Sequence, residues 1–226
     1  MGKSNDDSIF IVDVCGTLYR SNTTFDFLDF YFHSKRWHRV LRLFRQVKFL
    51  AVLNAVAFKF LNKDLLRMWA VAHLKGYRQS ELADMAERFH KEFLLHREND
   101  VVLDIVRREK SSGRHIVIVS ATLDCIADAV GKEIGADEVF SSRLSYDSSI
   151  CKGRLSEDLL ACKLRFLSKR NILPPFWGVV TDNYSDKDII MESQNAYLVQ
   201  YVGKRDRWNF VDKLNECNVK KILING

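Results

Sequence analysis

The sequence predicts an α/β protein with a three-layer, Rossmann-like core, in which a parallel sheet lies between two layers of helices. The first supporting observation is the apolar run Ser8–Val14, which reads as a buried strand. The second is an alternation of short apolar runs with helical periodicity from Val101 onward. Such alternation implies parallel strand pairing through right-handed crossovers, with helices on both faces of the sheet.

The third observation is a long stretch with helical periodicity alone. From Thr24 to about Glu98, apolar residues recur at three- and four-residue spacing. We therefore predict a core formed by residues 1–20 and 100–226, and an inserted all-helical cap at residues 21–99. Such a cap would close over the active site, exclude water and select the substrate.

The individual elements follow from local patterns. Runs rich in β-branched residues indicate strands, and amphipathic stretches that end at glycine, as at Gly135, indicate helices. Strands are predicted at His115–Val119, Glu138–Phe140, Phe176–Thr181 and Tyr197–Val202, with a polar β-type excursion at Arg143–Gly153. Helices are predicted at Lys63–Lys75, Gln79–Arg97, Val101–Glu109, Leu123–Ile134, Ser156–Arg170, Lys187–Glu192 and Arg205–Glu216.

Composition limits the class of protein. With 226 residues, 47% hydrophobic and 28% charged, the chain can bury a full core and resembles a soluble globular protein. Its net charge of +6 favours anionic partners. The five cysteines are odd in number and form no C-x-x-C pair, which argues against a disulfide framework and for a reducing compartment. The polar N-terminus lacks a secretory signal pattern, so we expect a cytoplasmic protein.

Polar side chains follow the predicted strands where each strand ends. Asp13 follows the first strand, Ser120 the second and Asp182 the fourth. Ligands bind at the carboxyl ends of strands in open α/β sheets, so these side chains should converge. Clustered carboxylates repel each other unless a cation compensates, and hard oxygen ligands suit Mg²⁺. A hydroxyl and a lysine, Lys163, beside Mg²⁺ suit a bound phosphoryl group.

Four segments together resemble the motifs of the haloacid dehalogenase-like hydrolase superfamily, in its phosphoserine-phosphatase-like branch. The Lys152-Gly153-Arg154 turn before the lysine helix and the helical insertion also resemble that branch. The four segments, in chain order, are Asp13-Val-Cys-Gly-Thr-Leu18, Val119-Ser-Ala-Thr122, Lys163 in Cys-Lys-Leu-Arg-Phe-Leu, and Thr181-Asp-Asn-Tyr-Ser-Asp186.

This resemblance implies a mechanism and a set of site residues. Asp13 would attack phosphorus and form an aspartyl-phosphate, which divides one difficult displacement into two steps. Mg²⁺ would bind Asp13, the backbone carbonyl of Cys15 and Asp182, and Asp186 is either a further ligand or the partner of Lys163. The predicted catalytic residues are Asp13, Cys15, Ser120 and Lys163. The predicted phosphate-binding residues are Gly16, Thr17, Ser120, Ala121 and Lys163.

Cys15 departs from the family pattern. Phosphatases of this family usually carry a second Asp at that position, which protonates the leaving group and later activates water. A thiol with a reference pKa of about 8.5 is a poor substitute. One explanation is a leaving group that needs little protonation, as in an acyl phosphate or a phosphoanhydride. A second is an acid from the cap, for which the candidates are His33, His38, Glu81 and His90. A third is a catalytically weakened protein that binds phosphorylated ligands.

The segment Trp37–Leu61 is basic in its first half and almost entirely apolar from Phe49 to Phe60. It suits a cap helix packed against its neighbours. It also suits an interfacial helix whose arginines contact lipid headgroups at the inner face of the membrane. The second interpretation favours a lipid-linked phosphorylated substrate over a small metabolite. We expect no nucleic-acid binding, because basic strands with interleaved aromatic residues are missing.

Overall fold

The core of the protein is one mostly parallel sheet, as predicted. The computed structural model describes residues 8–47, 64–208, 210–211 and 217–225, and the strands named here lie within them. The sheet order is β4-β3-β2-β1-β5-β6-β7, and only the β3–β4 pair is antiparallel. The strands are β1 (Ile9–Val12), β2 (His115–Leu123), β3 (Glu138–Asp147), β4 (Ile150–Glu157), β5 (Phe176–Thr181), β6 (Ser193–Tyr201) and β7 (Asn218–Ile224).

The helices that the structure describes cover both faces of this sheet. A π-helical turn, His90–Leu94, and a 3-10 turn, Leu95–Arg97, extend the helix Gln79–Phe89. A second 3-10 turn spans Tyr184–Asp186. The α-helices are α1 (Thr23–Phe32), α2 (Arg36–Gln46), α3 (Leu65–Ala72), α4 (Gln79–Phe89), α5 (Asp100–Ser111), α6 (Asp124–Ile134), α7 (Lys163–Ser168) and α8 (Lys187–Met191).

Strand β1 shows why three layers form. All four of its side chains are buried, and successive side chains point to opposite faces of the sheet. Phe10 and Val12 join the apolar cluster formed with α1 and α3–α6. Ile9 and Ile11 join a second cluster with α7 and α8. A strand buried on both faces is typical of the centre of a parallel sheet, and the predicted fold class is confirmed.

The hairpin of β3 and β4 corrects two predictions. The short strand and the polar excursion predicted from Glu138 to Gly153 form instead two long strands. The turn between them consists of Ser148 and Ser149, both with positive φ (48° and 68°), as tight hairpins require. The helix predicted from Ser156 begins only at Lys163, because β4 runs to Glu157 and pairs there with β3.

The C-terminal region differs from its prediction as well. The helix predicted at Arg205–Glu216 is not formed at residues 205–208, and most of the remainder lies outside the described residues. Strand β7 was not predicted, and it pairs in parallel with β6 at the edge of the sheet. Its side chains are exposed or half-buried, so its apolar pattern is weaker than that of the central strands.

The basic segment that begins at Trp37 is described only in part. Its first half forms α2, where Leu41 is buried while Val40, Leu43 and Phe44 are exposed. Its apolar half, Phe49–Phe60, lies outside the described residues, so both interpretations of the segment stay predictions. Among the helices that are described, none has the length and apolar character needed to cross a bilayer. The division into core and cap also stays a prediction.

Candidate active site

Asp13 and Asp182 are brought together because β1 and β5 are neighbours in the sheet. Each aspartate directly follows its strand. The hydroxyl oxygen of Thr17 lies 3.2 Å from Asp13 Oδ2 and 3.2 Å from Asp182 Oδ1, and it accepts the backbone N–H of Asp182 at 2.9 Å. The hydroxyl of Thr17 therefore fixes both carboxylates from behind.

Lys163 completes the cluster from α7. Its Nζ lies 2.9 Å from Asp13 Oδ1 and 2.7 Å from Asp186 Oδ2, and its side chain is only 3% exposed. Burial opposes the charged form of this amine, but the negative charges of Asp13 and Asp186 outweigh burial and raise its pKa. Lys163 is therefore a fixed positive charge beside Asp13.

The carboxylate of Asp186 accepts hydrogen bonds from two other side chains of the protein. Its Oδ2 accepts from Lys163 and also from the Thr181 hydroxyl at 2.7 Å, and it does not line the cavity in front of the strand ends. Of its two predicted roles, these contacts favour the partner of Lys163 over the metal ligand. A phosphate contact of Ser120 stays a prediction, because this side chain is fully buried and its hydroxyl lies 3.4 Å from the backbone nitrogen of Thr122.

The cavity has a volume of about 630 Å³. Five predicted site residues line it, whereas Thr17, Ser120, Lys163 and Asp186 lie behind its wall. The lining members of the predicted set are Asp13, Cys15, Gly16, Ala121 and Asp182.

Gly16 allows the close approach of the loop after β1 to Asp182. Its φ is +70°, and a Cβ at this position would collide with the Asp182 carboxylate. The loop is anchored from several sides. Gly16 N–H donates to the Ser21 carbonyl at 3.1 Å, the Tyr201 hydroxyl donates to the Gly16 carbonyl at 2.8 Å, and the Asn99 amide donates to the Thr17 carbonyl.

Among the described residues, Asp182 forms no ion pair of its own, unlike Asp13. Burial, and then the negative charge of Asp13, raise the pKa of Asp182 to about 7. In the described part of the chain, no three His, Cys, Asp or Glu side chains are arranged to hold a metal. Two carboxylates and the main-chain carbonyl of Cys15 nevertheless fit Mg²⁺, which commonly binds one or two carboxylates and completes its shell with water and phosphate.

The thiol of Cys15 is hydrogen-bonded to Thr23. Its sulfur accepts the Thr23 N–H at 3.2 Å and lies 2.9 Å from the Thr23 hydroxyl oxygen, which in turn lies 2.5 Å from the Thr122 hydroxyl. Burial raises the pKa of the thiol to about 11. Cys15 therefore stays neutral and is a weak acid at neutral pH.

None of the four candidate acids predicted from the cap lines the cavity. His33 and Glu81 are exposed. His38 is buried against Asp29 at 2.6 Å, and His90 is buried with its ring nitrogen 2.9 Å from the Tyr19 hydroxyl. Helical periodicity places these residues on helices but does not say which helical face meets the core.

Several cavity residues were not predicted. Asp26 of α1 and Arg67 of α3 line the wall from the helical side. Arg67 is buried, pairs with Asp158 at 2.6 Å and donates to the Ala121 carbonyl. Both are charged residues in mostly apolar helices, and this pattern could have identified them as candidates. The remaining cations of the wall are Arg20, Lys204 and Arg207.

Comparison with known proteins agrees with this geometry. A family model described as haloacid dehalogenase-like hydrolase matches residues 10–170. No curated protein matches the sequence.

Solved structures show the same fold at low sequence identity. A protein of unknown function from Bordetella pertussis Tohama I aligns with a TM-score of 0.65 and 13% identity, over 93% of this chain and 96% of that one. A substrate-bound phosphoserine phosphatase aligns at 0.59 and 12% identity, over 94% and 92% of the two chains. Cytosolic 5′-nucleotidase IIIB bound to cytidine aligns at 0.59 and 11% identity, over 97% and 81%.

Proposed function

Because the chain belongs to the haloacid dehalogenase-like hydrolases, we propose that it is a magnesium-dependent phosphoryl-transfer enzyme. Its substrate is a small or lipid-linked phosphorylated metabolite, and Asp13 is the nucleophile. One observation carries the proposal. Asp13 lies in the wall of a large cavity while the buried ammonium group of Lys163 contacts it from behind.

The contacts of Asp13 suit a nucleophile. Lys163 lies at Oδ1 and Thr17 at Oδ2, so the carboxylate is held in one orientation. Attack of a carboxylate oxygen on phosphorus forms an aspartyl-phosphate and expels the leaving group. The backbone N–H groups of the loop at Gly16 and Thr17 and the positive charge of Lys163 would stabilise the phosphoryl oxygens.

Asp13, Asp182 and the Cys15 carbonyl would hold Mg²⁺. When bound, the ion neutralises charge on the phosphoryl group and on the two carboxylates. The raised pKa of Asp182 supports this assignment, since a cation at this point would offset both the burial and the negative charge of Asp13 that raise it.

The segment 21–99 is proposed to act as a cap over the cavity. Its helices α1 and α3 contribute Asp26 and Arg67 to the wall. Substrate selection would then depend on these helices, because they face the part of the substrate beyond the phosphoryl group.

A second candidate function is a phospholigand-binding protein with weakened catalysis, in the cytoplasm or at a membrane surface. The observation that favours it is the neutral thiol of Cys15, held by Thr23 where the family usually has an acid. Loss of a positioned acid–base group costs about 10²–10⁴-fold in rate.

An assay of acyl phosphates, phosphomonoesters and lipid phosphates, with and without Mg²⁺, separates the two functions. We expect Mg²⁺-dependent release of phosphate from at least one class, abolished by Asp13→Asn and retained by the surface control Asp104→Asn. Tight binding of a phosphate mimic without turnover of any class would refute the enzyme and support the binding protein.

A further inference from the structure

The proposed function, on which this inference rests, leaves the proton donor and acceptor of the reaction without an assigned residue. Two proton transfers accompany turnover through an aspartyl-phosphate, one to the leaving oxygen and one from the attacking water. Cys15 occupies the position where an acid is expected, but its sulfur is held by the backbone N–H and the hydroxyl group of Thr23. A thiol, with a reference pKa of about 8.5, is a poor acid for the first transfer and a poor base for the second.

Few carboxyl groups of the cavity wall are free of another role and could transfer these protons. In the described part of the chain, four aspartates line the cavity. Asp13 is the nucleophile, and Asp182 belongs with Mg²⁺. Asp64 caps α3, because its Oδ1 accepts the backbone N–H of Arg67 at 2.9 Å. Asp26 remains.

Asp26 is on the same helix as the residue that holds the Cys15 thiol. It follows Thr23, the residue that holds the Cys15 sulfur, by three positions in the same helix. Residues three apart share a helix face, with about 5–6 Å between their Cβ atoms. Asp26 therefore lies roughly one helical turn beyond the residue that fixes position 15.

Asp26 is also joined to the loop that carries the nucleophile. The Ser21 hydroxyl donates to Asp26 Oδ2 at 2.7 Å, and the Ser21 carbonyl accepts the Gly16 N–H at 3.1 Å. These two bonds link the Asp26 carboxyl to the backbone three residues after Asp13. Asp26 also lines the cavity, together with Asp13 and Cys15.

The protonation of Asp26 suits the same task. Burial raises its pKa above the usual range of an aspartate. The Ser21 hydroxyl and, more weakly, Arg45 of α2 oppose this shift, while Asp29 of α1 adds to it. A carboxyl group with a raised pKa is a better match for proton transfer near neutral pH than an ordinary surface aspartate.

We propose that Asp26 is the proton-transfer residue of this site, in place of the group at position 15. In the first step, an Asp13 oxygen bonds to phosphorus, the bond from phosphorus to the leaving oxygen breaks, and that oxygen takes the Asp26 proton and departs as an alcohol. In the second step, the Asp26 carboxylate takes a proton from water, the water oxygen bonds to phosphorus, and phosphate leaves Asp13. Asp26 ends protonated, as it began.

This assignment selects among substrate classes. With Asp26 as the acid, monoesters with strongly basic alkoxide leaving groups are substrates. Without it, turnover is confined to acyl phosphates, phosphoanhydrides and other esters whose leaving group departs as a stable anion.

The test is the dependence of kcat/KM on the leaving group, measured with acetyl phosphate, nitrophenyl phosphate and a series of alkyl phosphates. Asp26→Asn keeps a carbonyl oxygen to accept the Ser21 hydroxyl, so the loop contact is preserved. We expect it to lower kcat/KM for alkyl phosphates by about 10²–10⁴-fold, and for acetyl phosphate by less than about tenfold. The control Asp104→Asn, at an exposed position of α5, should keep the profile of the unmodified protein.

Equal losses for all substrates would overturn the assignment, because they indicate a structural role. Unchanged kinetics would overturn it as well. The unmodified protein gives a test that needs no variant, since a steep decline of rate with leaving-group basicity means that no acid assists. Such a decline overturns the role of Asp26 and leaves the proposed function standing. Absence of any turnover, with no binding of a beryllium fluoride mimic, refutes the proposed function itself.

Discussion

The ammonium nitrogen of Lys163 lies 2.9 Å from Oδ1 of Asp13, across 150 positions of sequence. It also lies 2.7 Å from Oδ2 of Asp186, so one cation serves two carboxylates in a buried cluster. The positive charge of Lys163 therefore has two roles. It would support phosphoryl transfer at Asp13, and it balances the buried negative charges of Asp13 and Asp186.

Substitution of Lys163 by Met should affect stability and activity together. It leaves Asp13 and Asp186 buried without their counter-ion, and breaking such a cluster costs about 3–5 kcal/mol. Urea unfolding should show this loss, and Mg²⁺-dependent turnover should fall by at least about 10²-fold. Lys169→Met, at an exposed position six residues later, is the control. A loss of stability no larger than that of the control would contradict the ion-pair geometry.

Gly16→Ala should be more destabilising than Gly113→Ala. Both glycines have positive φ, +70° and +79°, but a Cβ on Gly113 meets nothing within 4 Å, whereas one on Gly16 meets the Asp182 carboxylate. The control substitution should cost about 1–2 kcal/mol from backbone strain alone. Gly16→Ala should exceed that value and also weaken Mg²⁺ binding, measured by calorimetry. Equal costs with unchanged Mg²⁺ affinity would mean that the loop can move away from Asp182.

The stability of the metal-free protein should depend on pH through Asp182. Its pKa is raised from 3.8 to about 7, so the folded state retains a proton that the unfolded state loses above pH 4. The free energy of unfolding in a chelator should therefore fall as pH rises from about 4 to 7, and then level off. Urea titrations at several pH values check this slope. Asp182→Asn should flatten it, and Mg²⁺ should stabilise the protein most above pH 7.

Cys15→Asp should restore proton transfer most clearly where Asp26 is absent. In the Asp26→Asn background, we expect alkyl phosphate turnover to rise by about tenfold or more. In the unmodified background the gain should be smaller, because Asp26 already supplies the proton. The two values of kcat/KM form a double-mutant cycle, and Cys15→Ser is the control. Equal gains in both backgrounds would show that the two positions act independently.

The interfacial interpretation of the basic segment predicts sedimentation with anionic vesicles and not with zwitterionic ones. Arg39 and Arg42 are exposed on α2, and charge reversal at both should abolish binding, as should high salt. Charge reversal at exposed Lys169 is the control. Failure to bind anionic vesicles at low salt would favour a helix packed within the cap.

The sequence alone determined the features that depend on local pattern. The apolar run before Asp13 and the run Phe176–Thr181 predicted β1 and β5, because strands buried on both faces need continuous apolar side chains. The helix closed by Gly135 was predicted for the same local reason, and its cap has φ +62°. Asp13 and Asp182 were identified because polar residues at strand ends are the residues that parallel sheets bring to one edge.

Only the tertiary structure decided which separated side chains meet. Thr17 bridges Asp13 and Asp182, Thr23 occupies the Cys15 thiol, and Asp26 reaches the cavity from α1. Local periodicity indicates that a residue is helical. Which face of the helix lies against the sheet depends on packing between segments that are distant in sequence. The β3–β4 hairpin was missed for a similar reason. Its strands are held by pairing between residues up to 14 positions apart, as with Arg143 and Glu157, which no short window of sequence records.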